Sequence, residues 1–150
     1  MNDNLSMKLT IPCASEFVGV VRLAISGIAS RMNYSIEEIE DIKVSVSEAC
    51  TNAIQHAYGE NTSNSKNNID IVATIHPEKL EIIVKDTGIG FDTNILGTHE
   101  QKSRSEERLG LGLGLSFVKS LMDDATFNSE IGKGTTIIMS KKAPKITTEE

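Results

Sequence analysis

Two cysteines in 150 residues, Cys13 and Cys50, form no CxxC pair, and a reducing cytosol disfavours a bridge between them. Both are expected as small buried side chains. The three histidines, His56, His76 and His99, lack metal-ligand spacing, and neither HExxH nor a Cys/His cluster occurs, which argues against a structural zinc site. No apolar run approaches the roughly 20 residues that cross a bilayer. Met1 to Thr10 also lacks the basic-then-apolar order of a signal peptide, so a cytoplasmic protein with no membrane partner is expected. Basic charge is scarce too. Fifteen Lys and Arg against twenty-one Asp and Glu leave a net charge of −6, which repels polyanions and disfavours direct contact with nucleic acid.

What remains is an ordinary globular composition, 39% hydrophobic and 24% charged, in a length suited to a single domain over residues 1–150. Leu5 to Pro12, with Met7, Leu9 and Ile11 facing one way, predicts an edge strand. Ser15 reads as the N-cap of a helix running to about Met32, although Gly19 and Gly27 weaken it. Ser35 and Glu38 have capping-box spacing, opening a helix that reaches about Tyr58 and stops at Gly59. Its apolar stripe is Ile39, Ile42, Val46, Ala49 and Ala53; Asp41, Ser45, Glu48 and Asn52 fall on a different face. Glu60 to Asn68 is polar and reads as a loop. Ile69 to Ile75 and Leu80 to Val84 predict an antiparallel pair. A charged stretch, about 92–109, precedes a third helix through Phe117, Val118, Leu121 and Met122. Strands near Ala125 to Asn128 and Thr135 to Ser140, joined by a turn at Gly132 to Gly134, lead into a polar tail at about 142–150. This order predicts the α+β class: a two-layer α/β sandwich, its mixed and mostly antiparallel sheet carrying helices on one face.

Glycine clusters where phosphate chemistry would use it. Gly88 and Gly90 follow a strand, and Gly110, Gly112 and Gly114 lead into a helix. Backbone without side chains lets N–H groups approach an anion, and a helix start adds its positive dipole end. The familiar alternatives fail on spacing. The second cluster is GxGxG rather than GxGxxG, Gly132-Lys133-Gly134 lacks the Ser or Thr that a P-loop has after Lys, and neither HRD nor DFG is present. On the long helix, Glu48 and Asn52 are four residues apart and therefore neighbours. A carboxylate there can accept a proton, and an amide oxygen can ligate magnesium.

Taken in order, Glu48-Ala49-Cys50-Thr51-Asn52-Ala53-Ile54-Gln55-His56-Ala57, Asp86-Thr87-Gly88-Ile89-Gly90, Gly110-Leu111-Gly112-Leu113-Gly114 and Gly132-Lys133-Gly134-Thr135 resemble the ATP-site boxes of the GHKL superfamily. Gyrase, Hsp90, histidine kinases and MutL belong to that superfamily, whose architecture is the Bergerat ATP-binding fold. The segments SEACTNAIQHAY, RLAISGIASRM and the MDD after the third helix are similar to those of RsbW-type anti-sigma factor serine kinases, over roughly Met7 to Met139.

That resemblance implies ATP and Mg as cofactors. It gives Asp86 the adenine amino group, assisted by Thr135, with Gly88 and Gly90 letting the base lie against the backbone. Asn52 would hold magnesium, and Glu48 would be the catalytic base toward a serine hydroxyl. Gly110, Gly112 and Gly114 would bind the phosphates, and residues 92–109 would be an ATP lid, with Arg104 or Arg108 reaching the terminal phosphate. The implied partners are an alternative sigma factor and an anti-anti-sigma factor that accepts phosphate on serine. A homodimer is also implied.

Two rival readings compete. Asp86-Thr87-Gly88 is also the signature triplet of aspartic proteases, and a homodimer could pair two such aspartates; that fold is nearly all strand, however, and this chain has two long helical patterns and Lys85 directly before Asp86. A module that binds nucleotide without turnover is the other, and the presence of Glu48 counts against it.

Overall fold

In the computed structural model, which describes residues 4–57, 67–88 and 112–144, the longest helix begins where Ser35 and Glu38 predict. Ser35 Oγ accepts from the Glu38 amide, and Glu38 Oε1 accepts from the Ser35 amide, each at 3.1 Å. Two amides that a helix start leaves without partners are thereby satisfied. The helix, α2, covers Ile36–Asn52 and then widens into a π turn, Ala53–Ala57. The expected stop at Tyr58 and Gly59 lies outside the described residues.

The first helix departs from expectation at its start. Ser15 does not cap it: a 3-10 turn, Ser15–Phe17, comes first, and the cap position of that turn is Ala14, with no side-chain hydrogen bond. The Phe17 amide donates to the Ala14 carbonyl, so the turn closes one residue early and Ser15 falls inside it. Helix α1 proper is Val18–Arg31. Just past its end Asn33 adopts φ 63°, a left-handed conformation that asparagine tolerates better than most residues.

Five strands form one sheet: β1 (Leu5–Pro12), β2 (Asn68–Ile75), β3 (Lys79–Asp86), β4 (Asp124–Glu130) and β5 (Gly134–Lys142), in the order β1-β2-β3-β5-β4. Each of these four neighbouring pairs is antiparallel. The β2–β3 hairpin closes at His76 and Lys79 as the sequence suggests. Helix α3, Gly112–Leu121, precedes β4.

Burial alternates along the central strands. Ile69, Ile71 and Ala73 on β2, Leu80, Ile82 and Val84 on β3, and Ile137 and Met139 on β5 are buried. With a period of two these residues share one sheet face, and they join Ile11, Val21, Ile25, Ile42, Val46 and Val118 in a single core. Each large apolar side chain buried this way contributes roughly 1.5–3 kcal/mol. Helix α2 packs between α1 and α3. The result is the two-layer α/β sandwich expected, with helices on one face of an antiparallel sheet. Cys13 and Cys50 are free and buried; burial pushes the Cys50 thiol up to about 12, which disfavours the reactive thiolate. Among the described residues, no helix is long and apolar enough to cross a membrane.

Flanking by two helices also covers part of α2 that the sequence assigns to a polar face. Ser45 is 0% exposed, and among the described residues its hydroxyl has no hydrogen-bond partner. An unpaired buried hydroxyl destabilises by about 1–3 kcal/mol. Ser45→Ala is therefore expected to raise the melting temperature by several degrees, roughly 2–4 °C per kcal/mol for a chain of this size, as measured by calorimetry.

Candidate active site

Asp86 ends β3 in the same alternating series as Leu80, Ile82 and Val84, so its carboxylate enters the layer between sheet and helices. It is 4% exposed. Oδ1 accepts from the Gly88 amide at 2.9 Å and from the Thr135 amide at 3.2 Å. Burial pushes the carboxyl above the usual range, and these two amides pull it back; desolvation is the larger effect. Both hydrogen bonds fall on Oδ1, so among the described residues Oδ2 remains to accept from a donor in the layer.

Gly134, at the start of β5, makes this arrangement possible. Its φ is +95°, and a Cβ placed there would collide with the Asp86 carbonyl oxygen and lie 2.8 Å from Thr87 Cα and 2.9 Å from the Asp86 carbonyl carbon. Only glycine allows the strand to pass so close and still present the Thr135 amide to Asp86. Gly134→Ala should lower stability by about 3 kcal/mol through combined strain and overpacking. Gly132→Ala serves as control: its φ is +85°, but no atom lies within 4 Å of the added carbon, so about 1 kcal/mol is expected from strain alone. Denaturant titration of both variants measures the difference.

Thr135 is 5% exposed, and its hydroxyl lies 2.8 Å from Ser129 Oγ across the β4–β5 pair. The Ser129 hydroxyl also donates to the Gly134 carbonyl at 3.3 Å. Sequence reasoning missed both Ser129 and the part played by Gly134. A signal for the glycine was present in the Gly132-Lys133-Gly134 turn; Ser129 emerges only when β4 is registered on β5.

From the helix side, Glu48 and Asn52 occupy successive turns of α2. Asn52 is 9% exposed and Glu48 is half-buried. The far end of α2 approaches Asp86 through Cys13: its thiol lies 4.0 Å from the Ala53 carbonyl oxygen, and its pKa is raised by burial and by the Asp86 charge. The Ala53–Ala57 turn also packs on β5.

Helix α3 runs antiparallel to α2. Lys141 Nζ donates to the carbonyl of Leu121, the last residue of α3, at 2.6 Å and stands 3.7 Å from Asp41 in the first half of α2. The glycine-bearing start of α3 accordingly points toward the Asn52 end. Gly112 and Gly114 lie in its first turn. The structure thus brings Asp86, Gly88 and Thr135 into direct contact and turns the Asn52 end of α2 and the start of α3 toward the same end of the layer. Gly90, Arg104, Arg108, Gly110 and the segment 92–109 lie outside the described residues. Among the described residues, no group of three or more His, Cys, Asp or Glu could hold a metal ion.

A buried aspartate fixed by two amides thus ends β3, and α2 carries an acid and an amide one turn apart. Residues 11–141 match the family model of the histidine kinase-like ATPase domain, and the chain belongs to that class. It is 40% identical over 143 residues to the serine-protein kinase RsbW of Bacillus velezensis, across 93% of this chain and 85% of that protein. It is 39% identical over 143 residues to the serine-protein kinase RsbW of Bacillus subtilis, with the same coverage. Within its class the chain belongs to the RsbW serine-protein kinase family. A crystal structure of the RsbU and RsbW domains of Rv1364c from Mycobacterium tuberculosis shares the fold, with a TM-score of 0.67 and 19% identity over 94% of this chain and 33% of that longer one.

Proposed function

We propose that this protein is an Mg-ATP-dependent serine kinase and anti-sigma factor. It phosphorylates a serine of an anti-anti-sigma protein and otherwise binds and silences an alternative sigma factor. The observation that carries the nucleotide reading is the buried Asp86 carboxylate with Oδ1 held by Gly88 and Thr135. The second oxygen of such a group suits an exocyclic amine, and a buried acceptor of this kind discriminates strongly against ligands that lack the matching donor. The donor set also fits the rest of the ligand: a buried amide at Asn52, glycine amides at a helix start, and a strand that only glycine allows so close.

When bound, Mg-ATP supplies the transferable phosphoryl group. The chain's own residues position and activate around it. Asp86 and Thr135 hold the adenine edge, with Gly88 and Gly90 against the base. Asn52 ligates the metal. Gly110, Gly112 and Gly114 would donate amides to the phosphates, where the start of α3 would add its dipole. Glu48 accepts the proton of the incoming serine hydroxyl. The family resemblance would give residues 92–109 the role of a lid, with Arg104 or Arg108 as the arginine for the terminal phosphate.

The partner proteins rest on the family resemblance, and their competition has a physical basis. Phosphate adds about two negative charges to the acceptor protein at neutral pH, and this chain already carries −6. Repulsion loosens that complex and leaves the kinase available to the sigma factor. A homodimer acting in the cytoplasm completes the proposal. The test is to incubate the protein with γ-labelled Mg-ATP and an anti-anti-sigma protein, and separately with an alternative sigma factor. Label on a serine of the first and a stable complex with the second are expected; a protein that does neither contradicts the proposal.

A further inference from the structure

Strand β5 is anchored at both ends. Its first residues lean on Asp86. Near its other end, the Lys141 side chain is only 12% exposed, reaches the Leu121 carbonyl at 2.6 Å and faces Asp41 of α2 at 3.7 Å. The Lys141 carbonyl in turn accepts from the Tyr34 hydroxyl, just ahead of α2, at 2.6 Å. A cation on the last carbonyls of a helix is also where the helix dipole favours it.

The chain after α3 has its own anchor. The Asp123 amide donates to the Ser140 carbonyl, and Asp123 Oδ2 accepts from the Lys142 amide at 2.7 Å. Those bonds hold the α3–β4 connection to the sheet. Lys141 differs in gripping the helix end itself and in facing α2 at the same time. Helix α3 has ten residues, a rod of about 15 Å, so an axial shift at Leu121 is carried to Gly112.

We infer that Lys141 is a positioning residue for phosphate binding: by holding the C-terminus of α3 against β5 and α2, it sets where the glycine-bearing start of α3 stands. The inference rests on the Mg-ATP reading above. It separates the two ends of the nucleotide, because Lys141 governs the helix that meets the phosphates, whereas Asp86 is held by bonds that do not involve Lys141.

The experiment titrates native protein, Lys141→Met and Lys141→Arg with Mg-ATP and with adenosine, at a temperature where all three are folded. Lys141→Met should weaken Mg-ATP binding about fivefold or more, in the range of indirect coupling between packed elements, and leave adenosine binding unchanged. Lys141→Arg, which keeps a donor cation, should recover most of the Mg-ATP affinity. Unchanged Mg-ATP affinity in Lys141→Met would overturn the inference even if the melting temperature fell. Equal weakening of adenosine and Mg-ATP would overturn it too, by showing general loosening. Native protein that bound neither ligand would instead overturn the nucleotide reading itself.

Discussion

Glu48→Ala is expected to suppress phosphate transfer to the partner serine by roughly 10²–10⁴-fold, the span usual for a positioned general base, while Mg-ATP affinity stays within about twofold of native. Glu48 is half-buried and takes part in none of the ion pairs among the described residues. Its proposed work is confined to the moment the serine hydroxyl attacks, and a group that acts only then leaves ground-state binding untouched. Glu48→Gln refines the result. It preserves length and polarity but cannot take a proton, and an equal loss of transfer would assign the effect to basicity rather than shape. Initial transfer rates and calorimetric titration of the same preparations supply both quantities. Loss of ATP affinity in step with transfer would instead make Glu48 a binding residue.

Asp86→Asn should separate stability from function in the opposite sense. An amide can keep its oxygen toward the Gly88 and Thr135 amides, so the local hydrogen bonds survive. Its NH₂ would then replace the second carboxylate oxygen and present a donor to the donor on the adenine edge. Mg-ATP affinity is expected to fall about 100-fold, consistent with losing a charged hydrogen bond and leaving a buried donor unpaired.

Folding stability should move the other way. Burial raises the carboxyl pKa in the folded state. Such a group contributes stability at acid pH, below its unfolded value, and that contribution disappears as pH rises through the folded value. The neutral amide has no such dependence. The melting temperature of Asp86→Asn relative to native should therefore increase as pH rises from the acid side of the carboxylate range to neutrality, where the variant should be at least as stable as native. A variant that melts well below native at neutral pH would show that the ionised carboxylate is a net structural asset.

Features decided by a few neighbouring residues were legible in the sequence. The Ser35–Glu38 box needs only one turn of chain, and the β2–β3 hairpin follows from two β-branched runs across a short connection. Glu48 and Asn52 could be placed on adjacent turns because helical spacing is fixed by geometry. The readings that changed depend on distant contacts or competing local bonds. Ser15 is a good cap residue, yet the Phe17 to Ala14 bond formed a turn that bypassed it. Ser45 lies on a stripe that looks polar but is covered when α1 and α3 flank α2. Ser129 gains its relation to Thr135 only through strand register, and Lys141 meets Leu121 and Asp41 only after sheet and helices pack. Asp86 stood out from its motif, but its fixed oxygen depends on Gly134, 48 positions later, passing against its backbone.

In the proposed complex Asp86 reads the purine of the bound nucleotide while the start of α3 meets its phosphates. The most direct measurement is a crystal structure with Mg²⁺ and a non-hydrolysable ATP analogue. Asp86 Oδ2 is expected within about 3 Å of the exocyclic adenine nitrogen, with Asn52 on the metal and the Gly112 end of α3 facing the triphosphate. A purine bound elsewhere, with Asp86 still engaged only by Gly88 and Thr135, would contradict it.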